Sequence, residues 1–114
     1  MNGCLFCEIV SGKRQAERVY EDEHCLAFRD VNPQAPVHLL IIPRVHLKSL
    51  NEIDAAPDGL LHHLMRAAHE IAKRLKLDQK GYRLVINTGP HGGQTVFHLH
   101  IHLLGGRSMH WPPG

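Results

Sequence analysis

Hydrophobic and polar positions follow three different rhythms along this chain. From His98 to Leu103 they alternate strictly, the period of a half-buried β-strand. Val37-His38-Leu39-Leu40-Ile41-Ile42 is an almost unbroken apolar run, as in a central strand covered on both faces. Arg18–Glu21 and His24–Arg29, separated by Asp22-Glu23, predict a hairpin, and Tyr82–Asn87 predicts a further strand. Between Asp54 and Lys76 the period becomes helical, with Leu61, Leu64, Met65, Ala68, Ala72 and Leu75 on one stripe. Pro57 is tolerable only in a first turn, so the spacing predicts a start near Ala55 to Asp58. Phe6–Val10 predicts a short helix stopped by Gly12, with Phe6 and Ile9 on one face. The sum is an α+β fold: an antiparallel sheet of about five strands with one long and one short helix.

Composition narrows the class. A chain of 114 residues, 43% hydrophobic and 21% charged, is read as a single soluble domain over residues 1–114, with a carboxy-terminal tail from Gly105 to Gly114. A formal charge of +2 is too small to argue for nucleic acid. No apolar run matches a membrane span and no signal peptide opens the chain. Three cysteines, Cys4, Cys7 and Cys25, make no disulfide framework, and a cytoplasmic location is the simplest expectation.

Candidate chemistry gathers on the alternating segment. Residues two apart on a strand face the same way, so His98, His100 and His102 share a face while Leu99, Ile101 and Leu103 point into a core. Neighbouring imidazoles would stand about 6.5–7 Å apart, so two adjacent members, but not all three, can reach one ion or one phosphate. A merely solvated face would need only the spacing. Upstream, however, lies Gly89-Pro90-His91-Gly92-Gly93-Gln94-Thr95, a glycine-rich turn whose backbone N–H groups, from Gly93 to Val96, can cradle an anion. Asn87 can add a side-chain amide, and Asp30 can accept from both hydroxyls of a ribose or simply cap its loop. Neutral imidazole is a good nucleophile toward phosphorus, and His100, the central member, is the expected attacker. His102 is expected to contact the phosphate and help move a proton. Cys4-Leu5-Phe6-Cys7 is open to three readings: half of a zinc site, a redox dithiol, or two reduced thiols. His38, inside an apolar strand, is expected to be at most a supporting group. His62, His63 and His69 are read as surface or partner-contact residues. Trp111, the only tryptophan, is expected to pack on a neighbouring chain.

The run His98-Leu99-His100-Ile101-His102-Leu103-Leu104 resembles the signature of the histidine-triad (HIT) superfamily of nucleotidyl hydrolases and transferases. Asp30-Val31-Asn32-Pro33-Gln34-Ala35-Pro36, Ile42-Pro43 followed by His46, Gly92-Gly93-Gln94-Thr95 and Gly105-Gly106-Arg107 are similar to its HINT branch. The resemblance implies a HIT-like fold and a purine nucleoside phosphoramidase that cleaves a P–N bond through a covalent nucleotidyl-His100 intermediate. It implies catalytic roles for His100, His102 and Thr95, the last where relatives often carry serine, near the leaving group. It implies a nucleotide site of Phe6, Ile9, Phe28, Asp30, Val31, Asn87, Gly93, Gln94, Thr95 and Val96 with the two catalytic imidazoles. It extends Cys4 and Cys7 to a structural zinc site completed by His46 and His98, with no catalytic metal or organic cofactor. It also implies a homodimer whose carboxy-terminal segment reaches toward the partner's active site. Two other activities fit the same residues: dinucleoside polyphosphate hydrolysis, and zinc-containing nucleotide binding or scaffolding with little turnover.

Overall fold

The computed structural model describes residues 3–114. Its elements run α1 (Leu5–Ser11), β1 (Arg18–Glu21), β2 (Cys25–Arg29), β3 (Val37–Pro43), a 3-10 helix (Leu50–Ala55), α2 (Leu60–Arg74), β4 (Tyr82–Val85) and β5 (Ile101–Gly105). The five strands form one antiparallel sheet in the order β1-β2-β3-β5-β4. The expected α+β architecture is therefore present, with the 3-10 helix as an additional element.

Each face of the sheet carries its own helix, which explains the unbroken apolar run of β3. Leu39 and Ile41, with Cys25, Ala27, Ile101 and Leu103, pack against Leu60, Leu64, Ala67, Ala68, Ile71 and Ala72 of α2. Leu40 and Ile42, with Leu26 and Phe28, pack against Phe6 and Ile9 of α1. His38 falls among the residues of the α1 face and is 6% exposed.

Two boundaries and one buried face differ from expectation. The long helix begins at Leu60, later than Ala55 to Asp58, because Gly59 holds φ 79°, outside helical space, and Pro57 supplies only a carbonyl, accepting from Leu60 N–H at 3.2 Å. Its buried stripe is also rotated: Leu60, Ala67 and Ile71 are inside, while Leu61, Met65 and Leu75 are 36%, 44% and 37% exposed. The helical period holds, but several apolar residues flank the buried seam and nothing in the chain alone ranks them. Finally, ladder pairing of the histidine strand starts at Ile101, opposite Ile41, and not at His98. The preceding stretch is tied elsewhere: Leu99 N–H donates to Leu47 O at 2.7 Å. Leu99, Ile101 and Leu103 nevertheless all reach the α2 core, as the alternation requires.

Candidate active site

β5 and the residues just before it carry the three imidazoles of His98, His100 and His102. His98 is fully buried, and His100 is 6% exposed. His100 Nδ1 lies 2.7 Å from the carbonyl oxygen of His98. A carbonyl only accepts, so Nδ1 carries the proton and the lone pair of the neutral ring sits on Nε2. That nitrogen has no hydrogen-bond partner among the described residues, yet no buried side-chain nitrogen or oxygen is left unsatisfied, so Nε2 meets the surface.

His102 has the opposite polarity. Gln34 N–H donates to His38 Nδ1 at 3.0 Å, which places the His38 proton on Nε2. That Nε2–H faces His102 Nδ1 at 2.9 Å and Asp30 Oδ2 at 3.4 Å. His102 Nδ1 is thereby an acceptor, and its neutral ring keeps a proton on Nε2. His100 and His102, with ring centroids 5.0 Å apart, thus offer one bare nitrogen and one N–H side by side. Burial lowers the pKa of His100 and His38 and takes that of His102 to about 4, with the neighbouring imidazoles adding to the shift at His102 and Asp30 opposing it at all three. All three are neutral at pH 7. The grouping of Asp30, His38 and His102 has the residue types of a metal site, but the His38 Nε2–H already points at His102 Nδ1, so we read it as a hydrogen-bond chain with the Asp30 carboxylate alongside.

The turn before the triad is held by Gln94. Its Oε1 accepts from Gly89 N–H at 3.0 Å, and its Nε2 donates to Lys48 O at 2.7 Å and Val96 O at 3.0 Å. A side chain at Gly92 would collide with the backbone of Thr88. Of the four expected backbone donors, Gly93 and Gln94 are spent closing the turn, on Pro90 O and Gly89 O at 3.1 Å each. Thr95 and Val96 N–H have no partner among the described residues. The turn therefore leaves the backbone donors of Thr95 and Val96 open, and Gln94 shapes it with a side chain that has no free polar atom.

An adjoining cavity of about 570 Å³ is lined by Phe6, Ile9, Phe28, Asp30, Val31, Thr95 and Val96, among others. Seven residues named from the sequence thus converge on one concavity large enough for a nucleoside. Asn87, Gly93, Gln94, His100 and His102 are not part of that lining. Asp30 does two jobs: Oδ1 accepts from Asn32 N–H at 2.8 Å, capping its loop, and Oδ2 faces His38.

On the other side of His98 lie Cys4, Cys7 and His46. Cys4 Sγ is 3.5 Å from His98 Nδ1, Cys7 Sγ is 3.2 Å from His46 Nδ1 and 3.6 Å from His98 Nδ1, and the two Nδ1 atoms are 3.2 Å apart. Bond lengths of about 2.3 Å to sulfur and about 2.0 Å to nitrogen give tetrahedron edges of roughly 3.3–3.7 Å, so these donors fit zinc. His98 Nε2–H donates to Pro43 O at 3.0 Å, which turns its bare Nδ1 toward the cluster. The sequence signalled every member of this cluster, but not the role of His38: a buried histidine requires a partner, and only the fold, which sets His38 diagonally across from His102 on neighbouring strands, reveals that partner.

A five-stranded antiparallel sheet presenting alternate imidazoles beside a glycine turn defines the histidine-triad class. The chain belongs to the HIT family: the HIT domain matches residues 11–109. A 14 kDa zinc-binding protein from Zea mays is 49% identical over 112 residues, covering 96% of this chain and 87% of its own. The crystal structure of a HIT family hydrolase from Legionella pneumophila superposes with a TM-score of 0.94 at 49% identity, over 98% of this chain and 100% of that one. A histidine triad nucleotide-binding protein from Candida albicans gives a TM-score of 0.83 at 31% identity, over 96% and 83%.

Proposed function

We propose that the protein is a purine nucleoside phosphoramidase that works through a nucleotidyl-His100 intermediate. The observation that carries this reading is the opposed polarity of His100 and His102. His100 Nε2, made nucleophilic by the 2.7 Å bond from its Nδ1–H to His98 O, attacks the α-phosphorus. The P–N bond breaks and the amine leaves with one proton drawn from solvent past the Thr95 hydroxyl and the His102 Nε2–H. Thr95 and Val96 N–H take the charge that develops on the phosphoryl oxygens. Water then attacks phosphorus, the P–Nε2 bond breaks with its electron pair returning to His100, and a proton goes back to solvent. No metal is used in either half.

In this reading the base lies between Phe6, Ile9, Phe28 and Val31, and Asp30 holds the ribose. Asn87, Gly93 and Gln94 belong to the phosphate side, the last two by shaping the turn. Cys4, Cys7, His46 and His98 hold a structural zinc, as the donor geometry and the zinc-binding Zea mays relative support. The whole of residues 1–114 forms one HIT domain, acting as a homodimer in the cytoplasm on AMP- or GMP-type substrates, without nucleic acid or membrane partners. The test is to assay wild type and His100→Ala on an AMP–amine conjugate and on a dinucleoside polyphosphate. Turnover of the conjugate should predominate in wild type and vanish in the variant. Near-full turnover in the variant, or preference for the polyphosphate, would overturn the reading.

A further inference from the structure

The attacking imidazole and the Cys/His donor cluster meet in a single residue. His98 gives its side-chain Nδ1 to the cluster and its main-chain carbonyl to His100 Nδ1, at 2.7 Å. Its ring is pinned from a third direction, by Pro43 O at 3.0 Å. A second connection runs through α1. Phe6 stands between Cys4 and Cys7, and its ring packs edge-on against His98 at 5.9 Å and His100 at 5.2 Å. The same ring meets Phe28 at 5.4 Å and lines the nucleoside cavity.

We propose that metal occupancy positions the nucleotide site, with the His98 carbonyl and the Phe6 ring as the two positioning groups. This rests on the nucleotide reading of the cavity and adds a coupling that a mere fastener of the amino-terminal segment would lack. Zinc joins the start of α1 to His98. Without it, the four donors crowd within 4.8 Å of one another with nothing to bind, and two of them are on α1 or at its cap. Relaxation there moves Phe6 off the cavity wall and turns the His98 carbonyl away from His100 Nδ1. The ring then loses the acceptor that keeps its lone pair on Nε2. Coupling between the two sites must be reciprocal: whatever factor zinc adds to AMP affinity, AMP adds to zinc affinity.

The experiment uses the full chain, loaded with zinc, stripped with a chelator, and reloaded. AMP affinity is measured by calorimetry, and the tautomer of His100 by ring-nitrogen NMR at pH 7.5. Stripping should weaken AMP binding about tenfold and replace the single Nδ1–H form of His100 by a mixture; reloading should restore both. Should the stripped chain unfold, zinc affinity of the folded protein is measured by chelator competition with and without saturating AMP, and should rise about tenfold with it. Equal AMP affinity and an unchanged tautomer in the stripped chain, or zinc affinity indifferent to AMP, would overturn the proposal while leaving the phosphoramidase reading intact. A loaded protein that binds no AMP would instead defeat the nucleotide reading, and the tautomer comparison would still decide the coupling.

Discussion

His38 shows how much a single side chain settles in this molecule. It does not itself line the cavity, yet its accepted bond from Gln34 N–H and its donated bond to His102 decide which nitrogen of His102 carries a proton. Replacing His38 with Phe should lower kcat about tenfold to hundredfold with little change in AMP affinity, and His38→Gln, which keeps an acceptor and a donor, should recover part of the loss. Equal kcat in both variants would remove His38 from the proton chain. Burial also sets a pH dependence. His102 falls to about 4, and His100 and His38 fall in the same direction, from an unfolded value near 6.5. Below 6.5 the unfolded chain binds protons that the folded chain refuses, so stability is full above that pH and is lost as pH falls toward 4. Thermal midpoints measured from pH 8 to pH 5 should be flat in the upper half and decline in the lower. The histidines themselves were legible from the sequence, because alternation placed them on a common face. The tautomer of His102 was not, because it depends on His38, a partner far along the chain, whereas that of His100 is set by the carbonyl of His98 close by.

Among the elements, the strands were easiest to read and the turn hardest. Alternation and the long apolar run follow from local burial, and four of the five strands lie within a residue or two of their expected bounds. The fifth starts late because Leu99 N–H, ahead of Ile101, donates to Leu47 O, a contact that alternation cannot encode. The glycine turn was visible as a composition, but its internal wiring was not. Gln94 spends all of its polar atoms there, leaving Thr95 and Val96 as the open donors. Gly92 is the residue on which the turn's closeness depends. Gly92→Ala should push the Thr88 backbone aside, weaken AMP binding by about tenfold or more, and cost about 1–3 kcal/mol of stability; calorimetry and urea unfolding would check both. An alanine variant with wild-type affinity would show that the cradle tolerates displacement.

The whole molecule leaves apolar side chains uncovered on α2 and on β4. Leu61 and Met65 project one turn apart from α2, β4 is an edge strand, and Tyr82 on that edge is 36% exposed. Such a surface is expected of a chain that pairs with a second copy. Leu61→Glu combined with Met65→Glu should convert the proposed dimer to a monomer in sedimentation at micromolar protein; an unchanged dimer would move the interface elsewhere, and a wild-type monomer would refute it. The sequence sets Leu61 and Met65 on the same apolar stripe as Leu64 and Ala68, since a helix with more apolar positions than one seam can bury gives no local sign of which will stay outside.

Trp111 stands 82% exposed on the tail, tethered to the same edge by the 2.8 Å bond from Arg83 Nη2 to His110 O. Since no other indole exists in the chain, its fluorescence is an intrinsic gauge. Free in water it should emit far to the red and be quenched readily by iodide. A blue shift and protection that grow with protein concentration would record assembly directly, with no label attached.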